Sequence, residues 1–176
     1  MSQAADRWLR RGALALTLAL TSSLTATVVV VAWPRVSRAM GVTPPPPEPA
    51  YRAGQPVDVP TDWIDGRDIT VVLFAQSGCG ACQKAGPFFV ELINSVRNRA
   101  GFVLATHGRD EDERFYAKSL GVSDESIRAT PEGARVRLTP TLLVVQRDGR
   151  ILHVWEGVGP EQQQKAIRNT ILSAIN

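Results

Sequence analysis

Two cysteines are the whole thiol content of this 176-residue chain, and they stand three apart, as Cys79 and Cys82 in "FAQSGCGACQKAGP". The pair follows an apolar run and precedes a helical pattern. Two thiols at this spacing serve one of three chemistries: a redox couple, half of a metal site, or a small structural clip. The junction favours the first. A thiol at a helix start faces unpaired backbone N–H groups and the positive end of the helix dipole, and both favour thiolate. In such motifs the first thiol's pKa falls from about 8.5 to between roughly 3.5 and 7.5. Cys79 would attack a substrate disulfide, and Cys82, one turn on, would displace what it captures. Gly80 and Ala81 leave the first thiol open and bring no charge to tune it.

The other two readings fit less well. Structural zinc takes four Cys or His ligands and catalytic zinc three. The two histidines, His107 and His153, fall in or beside predicted strands without a paired spacing. No histidine follows Cys82, which excludes c-type haem attachment. A copper chaperone using the two thiols stays open. A clip closing so short a ring removes little chain entropy. The redox reading needs no cofactor beyond the Cys79–Cys82 disulfide itself.

The elements that must place the pair are legible around it. "ITVVLFA", from Ile69, is a continuous β-branched run, as expected for a strand covered on both faces. After the cysteines, Phe88, Phe89, Leu92, Ile93 and Val96 recur at helical steps, and Gly101 can cap that helix. "FVLATH" reads as a second strand. Asp110 and Glu113 resemble a capping box opening a helix that carries Phe115, Tyr116 and Leu120 and stops at Gly121. The charges from Asp110 to Arg114 read as a solvated helix start. Residues 122–137 are polar and hard to assign. "TLLVV" and "ILHVWEG" flank an Asp-Gly turn and form a hairpin. Ile167, Ile171, Leu172 and Ile175 mark one face of a final helix. Trp63, Ile64 and Trp155 are expected in the packing. The order β-α-β-α-β-β-α implies an α/β fold, with a parallel pair across the helical crossover and an antiparallel edge from the hairpin.

Charge separates the N-terminal arm from the rest. The net charge is +3, yet residues 1–38 hold five arginines against one acid, so the remainder is near neutral. No basic stripe with interleaved aromatics exists, which argues against nucleic-acid binding. Residues 12–34 carry no charge, and as a helix they would reach roughly 34 Å, enough for a hydrocarbon core of about 30 Å. Trp33 ends the run where an interfacial tryptophan belongs. Arg7, Arg10 and Arg11 before it against Arg35 and Arg38 after it place the N-terminus in the cytoplasm. A cleaved signal peptide ending near "SRA" at Ser37–Ala39 is the rival, though its apolar core would exceed the usual 7–15 residues. Either reading exports the rest of the chain. The expected organisation is a cytoplasmic N-terminus and transmembrane anchor over residues 1–38, a stiff proline-rich linker over 39–50, and a folded domain over 51–176.

Cys79-Gly80-Ala81-Cys82, Pro87 and Thr139-Pro140-Thr141 together resemble the thioredoxin family, and within it the membrane-tethered, exported TlpA and ResA proteins. The resemblance runs from Ile69 to Asn176, about 60% of the chain. It implies a thioredoxin-like fold, a central mixed sheet flanked by helices. Pro87 corresponds to the proline that kinks the family's active-site helix, and Pro140 to its cis-proline. "QRDGRILHVWEGVG" resembles the closing hairpin, with its glycine at Gly157. A proline opening a buried strand fits independently, since it has no N–H to donate. By resemblance, Thr139 would pair its backbone with substrate, and Gly78, Thr139 and Pro140 would bind it.

Two departures from the family stand out. Leu73 occupies the position of a buried acid, which would leave Cys82 to lose its proton to Lys84, Glu91 or water. Gly78 stands where a tryptophan is common. Thr139 follows Cys82 by 57 positions, which leaves room for an insertion within residues 122–137.

The function implied is a membrane-anchored, extracytoplasmic (periplasmic) thiol–disulfide oxidoreductase. Its substrates would be exported protein disulfides, as in cytochrome c maturation, and its electrons would come from a redox partner in the membrane. A non-catalytic binding module, such as a copper metallochaperone or assembly factor on the same scaffold, is the alternative. A peroxidase reading lacks its Pro-x-x-x-Thr-x-x-Cys arrangement. Oligomeric state is not legible.

Overall fold

The computed structural model describes residues 50–64 and 66–176. The expected membrane anchor over 1–38 and all but the last residue of the 39–50 linker lie outside the described residues. Among the described residues, no helix is long and apolar enough to cross a membrane.

β1 (Ile69–Phe74) is the centre of a five-stranded sheet in the order β3-β2-β1-β4-β5. β2 (Gly101–Thr106) lies parallel to β1 with Leu73 opposite Leu104, and β4 (Thr141–Gln146) lies antiparallel with Leu73 opposite Leu142. Central placement explains the unbroken apolar run, because both faces of β1 are covered. Val71 and Leu73 point into one core, and Val72 and Phe74 into the other.

Helices cover the first face: α1 (Gly80–Lys84), α2 (Gly86–Val96), α3 (Glu111–Ser119) and α4 (Glu161–Ala174). The helical stripe of α2 is buried throughout, from Phe88 to Val96, and Ile167 and Ile171 of α4 pack against it. Leu172 and Ile175 of the same expected face are only half-buried.

Among the described residues, no α-helix covers the second face. Residues 50–64 run across it with a 3-10 turn at Thr61–Trp63, burying Tyr51, Trp63 and Ile64. Backbone bonds tie this segment to β5 (Ile151–Glu156): Gly54 N–H donates to Ile151 O at 2.7 Å and Ile151 N–H donates to Gln55 O at 2.9 Å. Tyr51 stacks on Phe74 and donates its hydroxyl proton to Asp58 at 2.5 Å, while Arg135 backbone N–H donates to the Tyr51 hydroxyl oxygen at 3.0 Å.

Two local readings change. The helix after the cysteines is two segments that meet at Ala85, and Pro87 lies in the first turn of α2 rather than at a kink within one helix. Proline has no N–H to donate to the carbonyl four residues back and its ring crowds that carbonyl, so the first helix cannot run through it. α2 ends at Val96 with Arg97 as its C-cap, and Gly101, expected as its cap, instead opens β2. A Cβ there would come within 2.7 Å of Thr70 Oγ1, so glycine is required where β1 and β2 approach.

Residues 122–137 contain a 3-10 turn at Asp124–Ser126 and a short edge strand, β3 (Ile127–Ala129), parallel to β2. Three residues with one buried side chain, Ile127, are too few for a period to register. The hairpin of β4 and β5 turns at Gly149, whose φ of +83° only glycine adopts freely.

Two tyrosines make the domain sensitive to alkali. Burial, with Asp58 beside it, holds the Tyr51 hydroxyl well above the ordinary tyrosine range. Burial, with the Glu113 charge adding to it, pushes Tyr116 up to about 12. Both are neutral in folded and unfolded chains below about pH 10. Above that, the unfolded chain releases protons that the folded chain keeps, so stability falls as pH rises towards 12. Urea unfolding of the disulfide form across this range should show the fall, and Tyr116→Phe should reduce its slope by about 1.4 kcal/mol per pH unit. A slope unchanged by that substitution would refute the assignment.

Candidate functional site

The site sits at the carboxyl end of β1, where the chain leaves the sheet for α1. Cys79 is the N-cap residue of α1, with extended backbone, and Cys82 lies one turn along. The two form a disulfide with Cα atoms 5.2 Å apart. The Cys82 backbone N–H points at Cys79 Sγ, at 3.1 Å. A sulfur therefore fills the place that a Ser or Asp oxygen takes at an ordinary helix start. Cys79 is half-buried, whereas Cys82 is fully buried in the core that also holds Leu73, Phe88 and Leu142. The asymmetry assigns roles: one sulfur faces outward to be attacked or to attack, and the other waits beneath it.

A second loop converges on the first sulfur. Cys79 Sγ lies 3.5 Å from the carbonyl oxygen of Thr139, and the Thr139–Pro140 bond is cis. That loop is held from both sides: Thr141 Oγ1 donates to Leu138 O at 2.8 Å, and Gly157 N–H donates to Pro140 O at 2.7 Å. Gly78 is exposed, and a Cβ there would meet nothing within 4 Å, so the backbone beside Cys79 is bare. Of the residues singled out from sequence, the structure thus brings Gly78, Cys79, Cys82, Thr139 and Pro140 to one end of the sheet.

The acid-replacing position behaves differently from the proposed substitutes. Leu73 is fully buried in the same core as Cys82. Glu91 is instead paired with Arg168 of α4 at 2.8 Å, and Lys84 is exposed at the end of α1. His107 is exposed, and His153 stacks on Trp155. Among the described residues, no three His, Cys, Asp or Glu side chains are grouped as a metal site would require.

One residue of the site was misread from sequence. Asp110 does cap α3, accepting from Glu113 N–H at 2.9 Å, but the Glu113 side chain does not turn back to complete a capping box. It is 5% exposed, and its carboxylate accepts from Ser77 N–H at 3.1 and 3.0 Å and from Ser77 Oγ at 2.9 Å. Gln83 Nε2 donates to Ser77 O at 2.8 Å, so side chains hold both backbone groups of Ser77. The spacing is compatible with this placement as well as with a capping box: Glu113, Tyr116, Ala117 and Leu120 recur at helical steps along the inward stripe of α3. Beside this clamp, a cleft of about 460 Å³ is lined by Ser77, Gly78, Gln83, Asp112, Phe115, Tyr116 and Ser119. Phe115 stands 75% exposed at it.

No protein-family model matches the chain, and a search of curated proteins finds no match. Solved structures do match. A Chlorobium tepidum chain described as a DsbE thiol:disulfide interchange protein has a TM-score of 0.54 at 18% identity, over 70% of this chain and 96% of that one. The thioredoxin domain of a thiol-disulfide oxidoreductase from Bacteroides vulgatus has a TM-score of 0.53 at 16% identity, over 72% and 99%. A thioredoxin-like protein solved in its oxidised form has a TM-score of 0.52 at 18% identity, over 74% and 95%. At these identities the likeness shows the fold, which is thioredoxin-like, a mixed sheet flanked by helices.

The geometry of the pair has a direct chemical consequence. In the reduced full chain, Cys79 should be carboxymethylated at least about tenfold faster than the buried Cys82 at neutral pH. Its rate should rise to a plateau with a midpoint below the value of about 8.5 for free cysteine. Equal rates at the two thiols, or a midpoint at the free value, would contradict the site as described.

Proposed function

We propose that this chain is a thiol–disulfide oxidoreductase that exchanges dithiol for disulfide through Cys79 and Cys82, outside the cytoplasm and tethered by its N-terminal arm. The observation that carries the exchange chemistry is the N-cap geometry, a half-exposed sulfur receiving the Cys82 N–H at 3.1 Å. The same donor that faces the sulfur in the disulfide faces a thiolate after reduction, and stabilises it.

Starting from the reduced pair, the Cys79 thiolate attacks one sulfur of a substrate disulfide. A mixed disulfide forms, the substrate's S–S bond breaks, and the released thiolate takes a proton from solvent. Cys82 then gives up its proton and attacks Cys79 Sγ. That step breaks the mixed disulfide, frees the second substrate thiol and leaves Cys79–Cys82 oxidised by two electrons. A dithiol donor must reduce the pair again for a second turnover. Thr139, whose carbonyl lies beside Cys79 Sγ, supplies a backbone edge against which an extended substrate segment can lie.

The finer reading concerns place and direction. The uncharged stretch at residues 12–34, its flanking arginines and the proline-rich linker support an inner-membrane anchor with the domain on the periplasmic side. There the pair would reduce exported protein disulfides, such as those of apocytochrome c, with electrons from a membrane redox partner. Support for reduction over oxidation comes from the tether, which suits a dedicated donor.

The test is turnover. The purified full chain should accelerate insulin reduction by dithiothreitol, and Cys79→Ser should return the rate to that of the uncatalysed exchange. Cys82→Ser should retain the first step and accumulate a covalent adduct with a protein substrate. A chain that shows neither turnover nor adduct, and instead holds copper or zinc stoichiometrically, is the non-catalytic module.

A further inference from the structure

The thiol–disulfide reading leaves Glu113 without a role, although the protein buries its carboxylate against the loop that carries the nucleophile. An acid that is 5% exposed is costly unless its oxygens are satisfied. Here the partners come from a single residue, Ser77, through both its N–H and its hydroxyl. Ser77 lies two positions before Cys79, so its Cα is no more than ~7.6 Å from that of the cysteine. Cys79 N–H donates to Gln76 O at 3.2 Å, which closes a turn around Ser77 and couples its placement to that of the sulfur. The clamp reaches from α3 to the β1–α1 junction across 36 positions of sequence.

We propose that Glu113 is a positioning residue of the redox pair, which fixes the Ser77 turn and biases the Cys79–Cys82 couple towards its disulfide. This rests on the exchange chemistry proposed above. The sign follows from charge. The disulfide carries none, so the buried carboxylate acts electrostatically only on the reduced form, where it opposes the Cys79 thiolate. Burial reduces solvent screening of that repulsion. The anchoring contribution, by contrast, is present in both redox forms and cancels from their equilibrium. Low thiolate stability makes a couple more reducing, as high thiolate stability makes one more oxidising. Glu113 thereby opposes the helix N-terminus of α1, and the pair's potential is set by the balance between them.

The experiment is the equilibrium of the full chain with reduced and oxidised glutathione, for the parent, Glu113→Gln and Asp112→Asn. Glutamine keeps the volume and one acceptor but removes the charge. Glu113→Gln should shift the equilibrium towards the dithiol by about threefold to tenfold; a tenfold change is ~30 mV for this two-electron couple. Asp112→Asn, at the exposed neighbour, should shift it by less than about twofold. A purely structural role would lower stability in urea and leave the glutathione equilibrium unmoved, and that result overturns the inference. Should Glu113→Gln fold poorly, adding Ser77→Ala removes a partner hydroxyl left unmatched, and the same shift towards dithiol is expected. A parent chain that does not equilibrate with glutathione at all would instead overturn the exchange chemistry, so the two failures are distinguishable.

Discussion

The hydrogen bond from the Cys82 backbone N–H to Cys79 Sγ is the interaction around which the rest of the domain is arranged. It exists only if a strand ends and a helix begins within a few residues, with the first cysteine at the N-cap and the second a turn inside. β1 meets the first requirement by being locked on both sides, to β2 and to β4, up to Phe74. α1 meets the second although it is only five residues long, because α2 continues behind it and carries its packing. Pro87 causes the division between them. The break leaves a short helix whose Cys82 N–H faces the sulfur and whose other end passes into α2 at Ala85.

Burial then separates two chemically equal thiols. Cys82 sits in the same apolar core as Leu73, and Cys79 reaches the surface beside Gly78 and Thr139. Leu73 has a further effect. Where an acid could have received a proton, a branched apolar side chain fills the space, and the carboxylate nearest the motif in the hydrogen-bond network comes instead from α3. Glu113 approaches from the loop side through Ser77, so its influence falls on the outward cysteine. The buried charge near the pair thus comes from the helix alongside it and not from the strand beneath.

The two faces of the sheet are covered by unlike means. Helices bury one face through regular stripes, and the other is closed by residues 50–64, an irregular segment held by Tyr51, Trp63 and two backbone bonds to β5. Arg135 ties that segment to the loop before Thr139, through Asp58 and the face of Tyr51. The loop that presents Thr139 to the disulfide is therefore braced at both ends: by Gly157 beyond β5 and by the segment that precedes β1.

Local sequence determined a good deal of this. β1, β2, the hairpin at Asp148-Gly149 and the face of α2 each carry their signal over at least five residues, and the cysteines stand where the first strand pattern gives way to a helical one. Proline and glycine marked the breaks: Pro87 falls where the helix divides, whereas Gly101, expected as a cap, opens β2. Tertiary structure alone decided the remainder. β3 is too short to carry a period and exists because β2 offers it an edge. Glu113 looked like one more charge in an acidic helix start, since a capping box and an inward-facing acid share the same spacing. What separates them is whether a partner waits across the fold, and Ser77 lies 36 positions away. Composition and spacing report what a segment can do with itself; a buried charge is defined by the distant groups that satisfy it.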